Sequence, residues 1–344
     1  MRWAGQVQGT PVGEVPRVET RLSMADRWGS LARRWGIGRA GFAVPPGLYA
    51  VGTPSAQSAV LVSANYKMSF DQLRQALSGL DAWILVLDTR GINVWCAAGK
   101  GTFGTAEVIR QVQAAKLEQV VSHRRLVVPQ LGAPGVSAHE VRKGCGFGVV
   151  YGPVRAADLP RFLASGMKAD PEMRRVRFDL GDRAAVVPVE LVQGGGYALL
   201  IAALFVLGGG LGRDGYELAR VVTWGLPDAL LVVAAFVGGA VATPLLLPYL
   251  PGRAFALKGM WVGVFGTGGL WYALFGLPGR PGPAALAAWL LIGGALASFV
   301  AMNFTGASTY TSLSGVRKEM RHAVPCQLMA LVVGLGLWAV ARFG

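Results

Sequence analysis

The sequence predicts an α/β domain built on a doubly wound, mostly parallel sheet, followed by an all-α bundle of five membrane-length helices. Charge separates the two parts, because residues 1–190 contain 24 Lys and Arg and 15 Asp and Glu, whereas residues 191–344 contain 9 and 4. In the charged part, short apolar runs alternate with helical patterns, which is typical of a doubly wound fold. The predicted segments are 1–44, 45–190 and 191–344.

The first segment, residues 1–44, is predicted to be basic and amphipathic. It combines large apolar side chains with arginines: Trp28, Leu31, Trp35, Ile37, Arg27, Arg33, Arg34 and Arg39. Such a segment lies on a membrane surface or packs against the domain that follows it. The first residues, Met1 to Gln6, lack the apolar core of a secretory signal, so we expect the first domain to stay in the cytoplasm.

Five apolar runs of the second segment are predicted strands: 58–63, 83–88, 125–128, 147–151 and 186–189. The patterns Ser69-x-x-Gln72 and Ser137-x-x-Glu140 predict capping boxes at helix starts, and Thr105 is the predicted N-cap of a helix over 106–121. In a doubly wound sheet, ligands bind beyond the carboxyl ends of the strands. The predicted ligand-binding loops are therefore 64–67, 89–101, 129–135 and 151–155.

The apolar half contains five predicted membrane spans: 193–211, 226–250, 257–276, 284–304 and 325–342. Basic residues orient them. The loops on the side of the first domain hold Arg253, Lys258, Arg317, Lys318 and Arg321, and the opposite side holds Arg213, Arg220, Arg280 and Arg342. This bias predicts a multi-pass protein of the cytoplasmic membrane with its α/β domain in the cytoplasm. The segment Met302–Glu319, dense in hydroxyls, is either a hydrated loop or a surface that faces the first domain's ligand.

Composition bears on several function classes. The net charge is +14, yet the sequence shows neither a basic stripe interleaved with aromatic residues nor a recognisable nucleic-acid module, so no nucleic acid partner is expected. The cysteines Cys96, Cys145 and Cys326 are too far apart for a spaced zinc site or a disulfide framework. We infer a reducing compartment.

Cys96 is the most informative residue, because it follows a predicted strand at the start of a short helix that Asn93 is expected to cap. Unpaired N–H groups in a first helical turn favour a thiolate, which can ligate a metal ion. A buried, inert cysteine is the competing interpretation. A hydrolase nucleophile is less favoured, since the sequence pairs neither His123 nor His139 with the cysteine.

A glycine pattern follows this cysteine but does not mark a nucleotide site. Residues 99–104 match G-x-G-x-x-G literally, yet they begin about ten residues after the strand, and no acidic residue follows at about twenty. Gly99 and Lys100 also fail as a phosphate loop, because Gly101 stands where Ser or Thr is needed.

The stretch Asn93-Val94-Trp95-Cys96-Ala97-Ala98-Gly99-Lys100 resembles the signature of the membrane-bound corrinoid protein of microbial mercury methylation. Other segments resemble that family too: Ala64 to Asp71, Ser122 to Arg124, Pro129 to Gly135, Tyr151 to Arg155 and Met302 to Met320. The soluble part is also similar to the corrinoid-binding domain of the large subunit of the corrinoid iron–sulfur protein of the acetyl-CoA pathway. The present sequence has no cysteine cluster for an iron–sulfur centre and no room for that subunit's barrel domain.

The resemblance implies that Cys96 is the lower axial ligand of cobalt in a cobalamin or related corrinoid, bound base-off. No histidine of the chain sits in the D-x-H-x-x-G pattern of other corrinoid enzymes. The implied cofactor contacts are Asn65, Tyr66, Thr89, Asn93, Val94, Trp95, Ala97, Ala98, Gly99, Lys100, Gly101, Thr102, Gln130, Leu131, Gly132, Ala133, Tyr151, Gly152 and Pro153, in addition to Cys96 itself.

The resemblance also implies an activity and its partners. A methylated tetrahydrofolate-type donor, or its methyltransferase, supplies a methyl group to cobalt, and the methyl group passes to Hg(II). A two-cluster [4Fe-4S] ferredoxin is the implied reductant. Two alternatives stay open: a corrinoid carrier for another methyl acceptor, and a membrane receptor that binds corrinoid without catalysis.

Overall fold

The chain folds into two compact units, Met1–Val176 and Arg177–Gly344. A computed structural model describes residues 4–38, 41–276, 282–307 and 313–344. Arg39, Arg280 and the middle of the predicted polar segment, residues 308–312, lie outside the described residues.

Among the described residues of the first unit, seven strands form one sheet in the order β1-β2-β3-β5-β4-β6-β7. Their bounds are β1 Ala4–Thr10, β2 Gly13–Val18, β3 Gly47–Val51, β4 Val60–Ala64, β5 Ala82–Leu87, β6 Arg125–Val128 and β7 Gly148–Tyr151. Strands β4 to β7 are mutually parallel, β2 and β3 are parallel, and the pairs β1–β2 and β3–β5 are antiparallel. The predicted mostly parallel sheet is confirmed.

Four of the predicted strand runs coincide with β4, β5, β6 and β7, but the prediction for 186–189 is wrong. Those residues lie at the start of the helix Val187–Gly208. A short apolar run has no periodicity that separates a buried strand from an apolar helix. Strands β1 and β2, which extend the sheet from within residues 1–44, were not predicted, and neither was β3.

Helices pack against both faces of the sheet. The helices of the first unit are α1 Met24–Arg34, α2 Lys67–Ala76, α3 Val94–Lys100, α4 Thr105–Ala114, α5 Leu117–Val120, α6 Ala138–Cys145 and α7 Leu159–Ala164. Successive strand residues point to opposite faces. Accordingly, Val60 and Val62 pack with residues of α4, α5 and α6, whereas Leu61 packs with residues of α2 and α7.

The predicted helix starts had mixed outcomes. Ser137 caps α6 by accepting a hydrogen bond from the backbone N–H of Glu140 at 3.4 Å, but its own N–H donates to Thr105 Oγ1, so only half of the predicted capping box is present. Helix α2 begins at Lys67, so the box at Ser69 was wrong. The N-cap of α4 is Gly104, not Thr105, and the predicted helix 106–121 is broken at Lys116, whose φ of 45° is left-handed.

Among its described residues, the second unit has helices and one short β8–β9 hairpin, Leu211–Gly212 and Gly215–Tyr216. Its helices are α8 Leu180–Ala184, α9 Val187–Gly208, α10 Leu218–Arg220, α11 Leu226–Val237, α12 Thr243–Leu246, α13 Phe255–Phe275, α14 Pro283–Ala307 and α15 Leu313–Phe343. Two π-helical turns, Val221–Gly225 and Gly238–Ala242, join α10, α11 and α12 into one continuous segment.

In the part of the chain that the structure describes, four helical segments are long and apolar enough to cross a membrane: Leu180–Gly208, Leu218–Leu246, Pro283–Phe304 and Gly315–Phe343. The remaining predicted span, 257–276, coincides with the 21-residue helix α13. Lys258 and several glycines make α13 less apolar. Two of these glycines bring it close to α14, since an added Cβ at Gly259 or Gly263 would lie 2.5 or 2.3 Å from a backbone oxygen of α14.

Candidate functional site at the carboxyl edge of the sheet

The cysteine helix α3 begins as the sequence predicts. Asn93 has an extended backbone, and its Oδ1 accepts a hydrogen bond from the backbone N–H of Cys96 at 2.9 Å. The helix ends at Gly101, whose φ of 80° is left-handed. Ala97 and Ala98 are buried, whereas Cys96 is half-buried. The cap therefore holds Cys96 in the first turn of a short helix, where its side chain is still accessible.

The turn between β5 and α3 is held by Asn65, the residue that follows β4. Its Oδ1 accepts hydrogen bonds from the backbone N–H groups of Thr89 and Gly91 at 3.1 and 2.9 Å. Arg90 and Gly91 both have left-handed backbones, with φ of 57° and 70°. Asn65 and Thr89 are buried. Two of the predicted cofactor contacts thus have a structural task, which is to stabilise a sharp turn ahead of the cysteine.

A carboxylate that sequence reasoning missed supports the same turn. Glu107, in the first turn of α4, accepts a hydrogen bond from the backbone N–H of Asp88 at 2.8 Å. Burial raises the pKa of Glu107, but the hydrogen bonds from Arg110 and Asp88 outweigh it, so the pKa lies below its ordinary value. An acidic residue in a first helical turn is common, and no motif marks this one.

The 3-10 helix Gln130–Gly135, which follows β6, packs against α3. An added Cβ on Gly135 would lie 2.2 Å from the backbone oxygen of Phe103, and one on Gly132 would lie 2.4 Å from the Phe103 ring. Glycine is therefore required at both positions for the 3-10 helix to approach the residues that follow α3. Of the predicted contacts, Gln130, Leu131, Gly132 and Ala133 all lie in this 3-10 helix.

The end of β7 joins the same group of loops. The Tyr151 hydroxyl donates to the backbone oxygen of Val136 at 2.6 Å. The backbone N–H of Gly152 donates to the backbone oxygen of Val128 at 2.8 Å. The backbone N–H of Gln130 donates to the Pro153 oxygen at 3.4 Å. The predicted residues 151–153 therefore lie beside the loop that follows β6.

These loops meet at the switch point of the sheet. The chain leaves β4 toward β5 on one side and leaves β6 toward β7 on the other, and β4 and β6 are neighbours. Ligands of doubly wound proteins bind at such a reversal. Helix α3 lies there, packed on the 3-10 helix and beside the end of β4. The structure thus gathers the four predicted loops at one edge, with Cys96 among them.

The donor set at this edge suits a metal that brings most of its own ligands. Within the described residues, no group of three or more His, Cys, Asp or Glu side chains is placed to hold a metal ion. A single sulfur ligand from Cys96 could complete the coordination of a metal held by a macrocycle, but it is a poor site for a bare ion. Close to α3, the Thr102 hydroxyl is buried without a hydrogen-bond partner, as expected of a group that meets a ligand.

Two other side chains weighed from the sequence, those of His123 and Cys145, have hydrogen-bond partners of their own. His123 Nε2 lies 3.0 Å from the Ser58 backbone oxygen, and Nδ1 accepts from the Arg125 backbone N–H at 3.2 Å. These residues precede β4 and β6, so His123 lies at the edge of the sheet opposite Cys96. Burial raises the pKa of the Cys145 thiol, which donates to the Val141 oxygen at 3.2 Å. A Cys96–His123 nucleophilic pair is therefore excluded.

Comparison with known proteins finds similarity in the part of the chain that carries this edge. Residues 38–159 match the family model of the CO dehydrogenase/acetyl-CoA synthase delta subunit. The matched range runs from ahead of β3 to the start of α7, so it includes all four loops, and it ends before the second unit.

Curated relatives that match this region are gamma subunits of the acetyl-CoA decarbonylase/synthase complex. The chain is 34% identical over 123 residues to the gamma subunit of the acetyl-CoA decarbonylase/synthase complex of Methanopyrus kandleri. The corresponding subunits of Archaeoglobus fulgidus and Methanosarcina acetivorans are 30% identical over 122 and 125 residues. Each alignment covers 35% of this chain and 26% of the relative, so the chain spans about a quarter of their length. The expected similarity of the soluble part to an acetyl-CoA pathway subunit is confirmed over this domain.

Proposed function

We propose that this chain is a membrane-anchored corrinoid protein that receives a methyl group and transfers it to Hg(II), forming methylmercury. The observation that carries the proposal is the position of Cys96 on a capped helix at the switch point of a domain similar to acetyl-CoA decarbonylase/synthase subunits. A bound corrinoid would supply a cobalt centre that accepts a methyl group and gives it up to an acceptor.

The chain's own residues would hold and tune this cofactor. The sulfur of Cys96 would be a ligand of its cobalt, and the hydrogen bond from the Cys96 backbone N–H to Asn93 would keep the cysteine in place. A sulfur ligand is an electron-rich donor, and the choice of axial donor is one of the protein's means of tuning a metal. The unpartnered Thr102 hydroxyl is suited to bind a polar substituent of the macrocycle.

The acceptor is proposed from the residues around the cysteine. Asn93 to Lys100 resembles the signature of the mercury-methylating corrinoid proteins, and we therefore propose thiol-bound Hg(II) as the substrate. The same resemblance supports the two-cluster [4Fe-4S] ferredoxin as reductant and a methylated tetrahydrofolate-type compound, or its methyltransferase, as donor. Similarity to acetyl-CoA decarbonylase/synthase subunits favours a second candidate, a methyl carrier for another acceptor of one-carbon metabolism.

We propose that the second unit anchors the chain in the cytoplasmic membrane. Four apolar helical segments have the length that a bilayer requires, and α13 would be the fifth span. The excess of basic residues around Arg253 and in the first turns of α15, near Arg317, supports a cytoplasmic location for the α/β domain.

The visible spectrum of the purified full-length chain with cobalamin tests the cofactor and its ligand together. Wild type is expected to bind cobalamin base-off with a thiolate-type spectrum, Cys96→Ala to lose that spectrum, and Cys96→His to show a nitrogen-ligated one. Identical spectra in all three proteins, or no bound corrinoid, would rule out the assignment of Cys96.

A turnover assay then separates the acceptors. The corrinoid-loaded chain is given a methyl donor, a low-potential reductant and thiol-bound Hg(II), and methylmercury is measured in wild type and Cys96→Ala. Product that depends on Cys96 supports mercury methylation. A spectrum that shows cofactor binding, combined with no methylmercury, favours the carrier for another acceptor. Biological activity that Cys96→Ala retains would favour a receptor that binds corrinoid without catalysis.

A further inference from the structure

Helix α1 exposes its apolar side chains. The side chains of Met24, Trp28 and Leu31 are 66, 63 and 44% exposed, and no residue of the helix is buried. Trp35 and Ile37, directly after the helix, are 44 and 65% exposed. Helix α1 therefore does not pack on the α/β domain through these apolar side chains.

The polar side of α1 faces the domain instead. Lys67 Nζ donates to Asp26 Oδ1 at 2.6 Å and to Asp71 Oδ2 at 2.5 Å, and Arg74 donates to the same two carboxylates at 2.9 and 2.7 Å. Arg74 is fully buried. Arg33 stacks on the Phe42 ring, with its guanidinium carbon 4.5 Å from the ring centroid. Ion pairs and a stacked guanidinium thus attach α1 to the rest of the first unit.

Helix geometry explains the inversion. At 3.6 residues per turn, positions 24, 28, 31 and 35 fall within an arc of roughly 60°, and Asp26 lies on the opposite side. Arg27 falls at the margin of the apolar arc, and its side chain is exposed. The outward side therefore has two tryptophans and aliphatic side chains, flanked by positive charge. This is the composition of helices that lie in the headgroup region of a membrane.

The first proposed membrane span follows the first unit closely along the chain. The first unit ends at Val176, and the first membrane-length segment begins at Leu180. The link between the two units is therefore only a few residues long, and such a tether raises the effective concentration for even a weak interfacial contact of the first unit. A stable protein interface takes about 20–30 residues a side, several times the five apolar side chains exposed here.

We propose that α1, together with Trp35 and Ile37, lies in the headgroup region of an anionic bilayer and docks the α/β domain on it. The inference rests on the proposal that the long apolar helices span a membrane. Lys67, which binds Asp26, is two residues from Asn65, and its backbone N–H donates to the Phe42 oxygen at 3.0 Å. The docked helix therefore holds the edge that carries Cys96 near the membrane surface.

Photocrosslinking of the full-length chain in nanodiscs tests this proposal. The photoreactive residue p-benzoylphenylalanine replaces Trp28, or Leu199 on the exposed side of α9, or Glu118 at the opposite edge of the sheet, each in a separate protein. Nanodiscs contain phosphatidylcholine alone or with phosphatidylglycerol, and adducts are identified by mass spectrometry. We expect lipid adducts at 28 and 199 and none at 118. The yield at 28 should rise with phosphatidylglycerol and fall by up to about fivefold in the additional variant Arg27→Gln.

The control positions separate the two proposals. Lipid adducts at 199 with only protein adducts at 28, whether to a second copy or within the chain, would overturn membrane docking of α1 and leave the spans in place. Adducts at 199 and none at 28 would do the same. Absence of lipid adducts at 199 would refute the membrane spans, and the docking of α1 with them. Equal lipid labelling at 28 and 118 would show that α1 is not a specific contact.

Discussion

Replacing Asn65 by Ala should loosen the turn that leads to the cysteine helix without unfolding the α/β domain. The side-chain oxygen accepts hydrogen bonds from the backbone N–H groups of Thr89 and Gly91 at 3.1 and 2.9 Å, and Asn65 and Thr89 are buried. A buried donor left without a partner costs about 1–3 kcal/mol. Two donors lose their partner, and water can reach the part-buried N–H of Gly91 more easily than that of Thr89. We therefore expect the free energy of local opening of this turn to fall by about 2–4 kcal/mol.

Amide hydrogen exchange of the full-length chain measures this loss. A loss of about 2–4 kcal/mol lowers protection by roughly 30- to 1000-fold, and we expect it at residues 91–97 in Asn65→Ala, with little change in β4 to β6. Gln72→Ala is the matched control, because it removes an amide side chain of similar size from an exposed position of α2. Unchanged exchange at 91–97 would refute the reasoning. Equal loss throughout the first unit would show that Asn65 supports the sheet rather than the turn.

Three further predictions concern other parts of the chain. Asn93→Ala removes the cap from the Cys96 N–H, at a cost of about 1 kcal/mol, so the affinity for cobalamin in a spectral titration should fall about fivefold. Burial raises the pKa of Asp26, but the hydrogen bonds it accepts, chiefly from the lysine at the start of α2, lower it more, so the pKa lies below its ordinary value. A carboxyl group with a lowered pKa stabilises the folded state at pH values above its pKa in the unfolded chain, and this stabilisation is lost on acidification. Attachment of α1, measured by hydrogen exchange, should therefore be constant from pH 8 to 5 and weaken below about pH 4. Gly263→Ala would place a Cβ 2.3 Å from a carbonyl oxygen of α14, while Gly266→Ala meets nothing within 4 Å. The first should lower the thermal midpoint in detergent by the equivalent of about 1–3 kcal/mol, and an equal effect of both would contradict close α13–α14 packing.

The sequence by itself determined the features that depend on neighbouring residues. Asn93 stands three residues before Cys96, and this spacing suffices to predict the cap and the first turn of α3. Apolar runs predicted four strands of the sheet, and the long apolar segments after residue 180 predicted the membrane-length helices. Strand and helix in alternation also predicted that four loops would share one edge. Resemblance, rather than periodicity, singled out Cys96 as a metal ligand.

Tertiary structure decided what depends on residues far apart in the chain. Only the fold shows that Asn65 binds the turn at Thr89, that Gly132 and Gly135 admit Phe103, and that His123 is occupied at the opposite edge. The run 186–189 is by itself equally compatible with a strand and a helix. In the structure it begins the long helix Val187–Gly208. For α1, the apolar stripe was evident in the sequence, but which side would face the domain was not. That choice was made by Asp26, whose partners lie more than forty residues away on α2 and whose ion pairs turn the apolar side outward.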